Sequence, residues 1–330
     1  MTQRALITGC GGQDGSFLCD LLLERGYEVH GIVRRSSLDN LARIAHCRDK
    51  IILHQGDVTD ASCLEGIIAD VSPHEVYHEA DQDSVGWSHV TPAYQVEVTV
   101  KATVHLLEAC RVQCREARIF LPCSAMMFGD PAFTDLTGMQ DEQSPLNPQS
   151  PYGVAKCHVF YMGRMYRQRH DMFVANGILF NHDSERRSEH YLLHKICRGV
   201  KRIAAGQQHT LALGNLDGRV DVGYARDYME AAIAMLQFKK PDDFVIATAQ
   251  AHSVEDMVHF AFQRAGMKIG PRDLSNYITV DPQFYYQARG ILRGNPEKAW
   301  NCLNWRATTH IKDLIGIIMD GERAEGGKAA

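Results

Sequence analysis

The segment Ala5-Leu6-Ile7-Thr8, followed by Gly9-Cys10-Gly11-Gly12-Gln13-Asp14-Gly15, constrains this chain more than any other stretch. An apolar run long enough for a strand ends in glycines, and Phe17 to Arg25 then carries helical spacing through Leu18, Leu21, Leu22 and Leu23. Strand, tight turn and helix in that order need glycine for three reasons: to turn sharply, to let backbone approach a pyrophosphate, and to let helix and strand close. Gly9, Gly12 and Gly15 meet that need, with Gln13 and Asp14 among them as candidate cofactor contacts ahead of the helix amino terminus, which then faces the phosphates. A chain with 27 glycines produces such triplets by accident, so the flanking strand and helix carry the reading.

The alternation continues. Glu28 to Val33, Ile51 to Gln55, Glu75 to His78, Ile119 to Leu121 and Phe173 to Leu179 read as strands separated by helix-length segments. Parallel βαβ units follow, so the fold class is α/β with a Rossmann-type doubly wound parallel sheet. Past about residue 180 the rhythm loosens, with a polar patch Asn181 to His190, turns at Gly214-Asn215 and Asp217-Gly218, and later Pro271 and Pro282. The expected division is a cofactor-binding domain over 1–180 and a smaller mixed α/β substrate lobe over 181–330, with some segments returning to the sheet. Gly321 to Ala330 reads as a loose tail.

Composition narrows the function. Of 330 residues, 45% are hydrophobic and 23% charged, which excludes wholesale disorder, and a net charge of -5 leaves no basic excess for nucleic acid. No apolar run approaches the roughly 20 residues that span a bilayer, and the amino terminus shows no signal-peptide pattern, so a cytoplasmic protein without a membrane partner is expected. The ten cysteines read as reduced thiols. His182 and His190 have no adjacent carboxylate pair at ligand spacing, so no metal is expected.

After the second strand, where an NAD site would want Asp or Glu, stand Arg34-Arg35-Ser36-Ser37. Two guanidiniums and two hydroxyls suit the 2′-phosphate of NADP; NAD, or a merely solvated basic loop, is the alternative. Tyr152 and Lys156 lie four apart on one helix face, so the ammonium can lower the phenol's pKa and hold the cofactor ribose while the phenol exchanges a proton with substrate. Tyr191 and Lys195 repeat that spacing, so context must decide. Ser150-Pro151 precedes the first pair, and Ser124 lies just beyond a strand end, where open α/β sheets place their sites. Ser124, Tyr152 and Lys156 are therefore the candidate catalytic set.

Together these features resemble the extended short-chain dehydrogenases/reductases that act on nucleotide sugars, and among them the GDP-mannose 4,6-dehydratase family. The resemblance rests on Gly12-Gln13-Asp14-Gly15-Ser16, Ser150-Pro151-Tyr152-Gly153, Asn176 to His182, Arg186-Arg187, Leu213 to Asp217, Ala225-Arg226-Asp227-Tyr228 and Pro241 to Thr248, and covers most of residues 4 to 260. It implies cofactor contacts that extend to Asp57 and Val58, and a reaction in three stages. Hydride leaves sugar C4 while Tyr152 takes the hydroxyl proton, water is lost across C5 and C6, and the hydride returns to C6. It implies substrate contacts at Asp83, Ser124, Met126, Asn181, Arg187, Lys195 and Arg219, the last beside Val220 where the family has Arg. A GDP-hexose is favoured, although Tyr285 to Arg293 does not clearly match the family's nucleotide grip.

Two departures bear on the chemistry. The family's Glu two residues beyond the active-site hydroxyl is Met126 here, and a thioether carries no proton. Glu79-Ala80-Asp81-Gln82-Asp83 replaces an apolar turn, so Asp81 or Asp83 stands as a relocated base, with a solvated acidic loop as the alternative. The expected function is NADP-dependent oxidation at C4 of a nucleotide hexose, dehydratase-like. A C4 epimerase or 4-keto reductase is the alternative, and, from another class, a non-catalytic NADP-binding scaffold or sensor. The resemblance further implies a homodimer through helices near Val96 to Cys110 and Tyr152 to Arg167, or a homotetramer through Arg34 to Arg43.

Overall fold

A computed structural model describes residues 2–37, 41–129, 138–270, 273–281 and 291–325. Pro271, Pro282, most of Tyr285 to Arg293 and three residues of the Arg34 to Arg43 loop lie outside them.

Seven strands form one sheet: β1 Arg4–Thr8, β2 Glu28–Val33, β3 Ile51–Gln55, β4 Glu75–His78, β5 Arg118–Ser124, β6 Val174–Leu179 and, after three strands that pair elsewhere, β10 Asp243–Ile246. Their order is β10-β6-β5-β4-β1-β2-β3, and every neighbouring pair is parallel. Such a sheet needs crossovers, supplied by α1 Gln13–Glu24, α2 Ala61–Val71, α3 Val85–Val90, α4 Pro92–Gln95, α5 Ala102–Gln113 and α6 Pro151–His170. Alternate residues of β1 feed opposite faces. Leu6 joins a core with Val76, Ile119, Leu121 and residues of α2, α5 and α6. Ala5 and Ile7 join another with Tyr77, Phe120, Phe17 and Leu21. Burial on both faces is why the inner strands β1, β5 and β6 read as mainly apolar runs, whereas β3 at the sheet edge is only partly covered.

The other strands, β7 Asn181–Asp183, β8 Leu211–Leu213, β9 Arg219–Tyr224, β11 Ala251–Ser253, β12 Ile278–Val280 and β13 Ile291–Leu292, form two small sheets with both parallel and antiparallel pairs. A third core packs them with α7 Leu192–Ala204, α9 Val254–Arg264 and α11 Ile311–Glu325. α8 Ala225–Gln237 lies against α1 of the large sheet, and α10 Glu297–Leu303 against β10.

Two expectations are corrected. α1 starts at Gln13, four residues before the apolar run at Phe17, because Gly12 is its N-cap and the polar Gln13 and Ser16 are buried in its first turn. The tail expected from Gly321 is helical as far as Glu325, since Ile315, Ile318 and Met319 seat α11 in the third core; Gly326 to Ala330 lie outside the described residues. Among the described residues, no disulfide links the ten cysteines, and no helix is long and apolar enough to cross a membrane.

Candidate active site

The strand order reverses between β1 and β4, so the loops leaving those strands flank a crevice at their carboxyl ends. Gly9 leaves β1 at φ +68°, a left-handed conformation, and a Cβ there would lie 2.8 Å from the Ala80 nitrogen beyond β4. A Cβ on Gly15 would lie 2.4 Å from the Gly9 carbonyl oxygen, so helix and turn close only without one. Gly12 brings no side chain to cap the first-turn amides of α1, which leaves the helix amino terminus suited to a phosphate. Thr8 ties the two loops, accepting from the Ala80 N–H at 3.0 Å and pairing with His78 Nδ1 at 3.0 Å. The residues present fit a dinucleotide.

Asp14 in that turn meets His182 Nε2 at 2.9 Å, a residue 168 positions away. Burial alone would raise the carboxyl and depress the imidazole; their mutual attraction outweighs it, so Asp14 is held below the usual carboxylate range and His182 above the usual imidazole range. Gln13 accepts the Ser184 hydroxyl at 2.8 Å. At the end of β2, Arg34, Arg35 and Ser36 are exposed, and Arg34 Nη1 donates to the Tyr94 hydroxyl at 3.0 Å. After β3, Val58 is buried and Asp57 accepts from Thr59 at 2.8 Å. Arg43, from the loop expected to build a tetramer, bonds the Arg186 and Gly11 carbonyls.

The second cluster is built by α6. Ser150 caps it through the Gly153 N–H at 3.0 Å, and Pro151 fits the first turn, where an N–H is not needed. Gly153 packs where a Cβ would stand 2.6 Å from the Met126 carbonyl oxygen, which seats α6 against the single 3-10 turn Ala125–Met127 after β5. Ser124, Tyr152 and Lys156 are thereby brought together, all buried, with Ser124 hydrogen-bonded to the phenol. Met126 is partly buried in that turn, and its N–H donates to Ser124 Oγ at 3.2 Å.

The electrostatics differ from expectation. Lys156 Nζ lies 5.6 Å from the Tyr152 ring centre but only 2.6 Å from Asp81 Oδ2, and it donates to the Pro122 carbonyl at 2.7 Å. Burial would lower the ammonium's pKa, yet Asp81 holds it above the usual lysine range. The phenol is not lowered. Burial first, then Asp81 and Asp83, push Tyr152 up to about 12, against the opposing pull of Lys156 and Ser124. His78, buried behind the pair, is held down at about 4 by desolvation and stays neutral. His78, Asp81, Thr99, Thr103 and Lys156 border a cavity of about 10 Å³, close to one water molecule's worth.

Asp83 follows a different course. It is exposed, its Oδ2 lies 3.0 Å from Arg187 Nη2, and its Oδ1 accepts the Tyr191 hydroxyl at 2.7 Å. Arg187 in turn stacks over the Tyr191 ring, 3.6 Å from its centre. Tyr191, set aside in the sequence as a repeat of spacing, thus enters the site as the N-cap of α7, with Tyr152 among the groups whose charge it feels. Lys195 follows one turn later on α7; burial holds its ammonium below the usual range. Asn181 and Arg219 are exposed at the starts of β7 and β9, in the smaller lobe. Asp20, His46 and Cys47 also converge, their ligand atoms within 4.8 Å, but Arg186 occupies one Asp20 oxygen at 2.6 Å and opposes a cation.

Comparison with known proteins agrees with this frame. A GDP-mannose 4,6 dehydratase family model matches residues 6–318. GDP-mannose 4,6 dehydratase 2 of Arabidopsis thaliana is 38% identical over 96% of this chain and 86% of its own length. The human GDP-mannose 4,6 dehydratase is 37% identical over 94% and 89%. Among solved structures, the Thermus thermophilus UDP-glucose 4-epimerase complex with NAD superposes with a TM-score of 0.80 at 23% identity, covering 99% of this chain and 100% of that one. RMD from Pseudomonas aeruginosa, complexed with NADPH, gives 0.80 at 19%, covering 98% and 100%. The chain is a nucleotide-sugar modifying enzyme of the extended short-chain dehydrogenase/reductase type and belongs to the GDP-mannose 4,6-dehydratase family.

Proposed function

We propose that the protein exchanges hydride at C4 of a nucleotide-activated hexose, GDP-hexoses first, with NADP as cofactor. Residues 1–180 would hold the cofactor and 181–330 mainly the sugar nucleotide. The observation that carries this reading is the convergence of buried Ser124, Tyr152 and Lys156 at the carboxyl end of β5, with only β4 between that strand and β1, which the glycine turn follows. When bound, a nicotinamide nucleotide supplies or accepts the hydride. Gly9, Gly12 and Gly15 leave room for its pyrophosphate, and the exposed Arg34, Arg35 and Ser36 favour a 2′-phosphate, with NAD as the alternative. Tyr152 exchanges a proton with the C4 oxygen and Ser124 orients that oxygen. A non-catalytic sensor would have no use for this buried proton carrier.

Dehydration across C5 and C6 needs a second acid/base group, and Met126 is not one. Asp81 is buried against Lys156, whereas Asp83, paired with Arg187 and Tyr191, is exposed, so Asp83 is the candidate base for the C5 proton. Met126 favours a second reading, C4 epimerisation or 4-keto reduction, which needs no C5 base. Incubation with NADP and GDP- or UDP-hexoses in deuterated buffer separates them. Deuterium at C5 with loss of water, abolished by Asp83→Asn, is the expected result for a dehydratase. A C4 epimer or alcohol without C5 exchange selects the second reading, and no turnover of any nucleotide sugar refutes both.

A further inference from the structure

An ammonium favours a neighbouring phenolate only as far as its field is not cancelled by an anion beside it. At Lys156 the cancelling anion is in place. Asp81 Oδ2 lies 2.6 Å from Nζ, and the two side chains are 9% and 5% exposed, so little solvent separates or screens them. Asp81 cannot readily leave: its Oδ1 accepts the Gln82 N–H at 2.7 Å and also the Thr99 hydroxyl.

We propose that Asp81 is a positioning residue that offsets the field of Lys156 at the buried Tyr152, so that Tyr152 stands in the site as a proton donor, the form that ketone reduction at C4 uses near neutral pH. The direction rests on the second reading above, 4-keto reduction, and not on the dehydratase one; the role of Asp81 rests on neither. In that direction the Tyr152 O–H bond breaks and its proton goes to the ketone oxygen. The carbon takes the hydride's electron pair from a reduced nicotinamide nucleotide, which is oxidised, and the phenolate regains its proton from solvent. Oxidation of the alcohol requires the phenol to ionise first.

From α6 the phenol faces Lys156, from the loop after β4 it faces Asp81 and Asp83, and from α7 it faces Tyr191, which is itself bonded to Asp83. Asp83 is already countered by Arg187. Behind the ion pair, His78 is neutral above about pH 4, and Glu79 faces Asp14 and His182 as well as Lys156. Asp81 is thus the carboxylate in direct contact with the lysine. With the phenol near 12, about one part in 10⁵ is ionised at pH 7, which agrees with a donor.

The test is an NMR titration of ring-¹³C-tyrosine protein, without cofactor or sugar, with the Tyr152 signal assigned by its loss in Tyr152→Phe. In the wild type that signal should not move where ordinary tyrosines titrate, near about 10. Asp81→Asn should bring its midpoint down by about one to two pH units, because the lysine's charge is no longer cancelled. If the neutral variant does not fold, Lys156→Gln gives the reciprocal arm: Asp81 then faces the phenol alone and the midpoint should rise. A midpoint unmoved in whichever variant folds overturns the proposal. With a 4-keto nucleotide sugar, reduction should be nearly flat across neutral pH, while oxidation of the alcohol gains about tenfold per pH unit until Asp81→Asn shifts that rise to lower pH. Oxidation already flat at neutral pH in the wild type overturns the direction, whereas a shifted titration without turnover of any sugar retains Asp81's role and removes the C4 reading.

Discussion

Glu79 is the most exactingly testable residue in the loop after β4. Its Oε1 is a buried acceptor without a hydrogen-bond partner, and its carboxyl is pushed up to about 8 by burial first and then by Asp14 and Asp81, against Lys156 and His182. The native state therefore holds this proton more tightly than the unfolded chain does. The stability that follows is complete below about 4.5 and is lost as pH rises through about 8. A rise from 4.5 to about 8, at about 1.36 kcal/mol per pH unit, corresponds to about 5 kcal/mol. Because Glu79 keeps some exposure, solvent screening trims this to about 2–4 kcal/mol. Glu79→Gln fixes the neutral shape. It should match the wild type in stability at about pH 5 and exceed it by about 2–4 kcal/mol at about pH 9. Urea unfolding of both proteins at the two pH values, compared at equal slope, measures the difference directly, and titrating groups remote from Glu79 cancel in the subtraction. A wild-type-to-variant difference that is the same at both pH values would refute the reasoning.

Three further outcomes are expected. Tyr152→Phe should keep the fold and cofactor binding and lower turnover by about 10²–10⁴, since the ring packs alike while the proton carrier is gone; steady-state rates beside a cofactor titration check this. Arg35→Asp should reverse or erase a preference for NADP over NAD, and calorimetry showing equal wild-type affinity for both would defeat the NADP assignment. Exposed Val154 and Tyr161 on α6 and Val112 on α5 fit a homodimer through those helices. Light scattering should give at least a dimer at micromolar concentration, and Tyr161→Glu should dissociate it.

The sequence discloses the large sheet well, because parallel strands covered on both faces must be continuously apolar and the glycine turn fixes where β1 ends and α1 begins. It also discloses Ser124, Tyr152 and Lys156, whose separation in sequence is bridged by rules that hold for any open α/β sheet. What it conceals is the charge pairing within the crevice. Asp14 and His182 are 168 residues apart, and Asp83 and Tyr191 are 108 apart, so neither pair leaves a local pattern to find. A basic residue near the start of a small-lobe helix looks the same whether or not its neighbour reaches an acidic loop.

The loop after β4 shows why this concealment matters for function. Read along the chain, Glu79, Asp81 and Asp83 are three carboxylates in one acidic turn, and any of them could be assigned to solvent. Folded, they diverge: Glu79 turns toward Asp14 and favours its neutral form, Asp81 is committed to Lys156, and Asp83 is shared by Arg187 and Tyr191. On a regular strand residues 79, 81 and 83 would line one face, so it is the irregular backbone of this loop that lets one five-residue turn at a switch point reach three environments. A single acid/base residue lost beside Ser124 can therefore be answered from this loop without altering the glycine turn or α6. The same geometry sets a limit on that answer, since Asp81, the carboxylate nearest the catalytic lysine, cannot serve as a base without first leaving the cation that holds it.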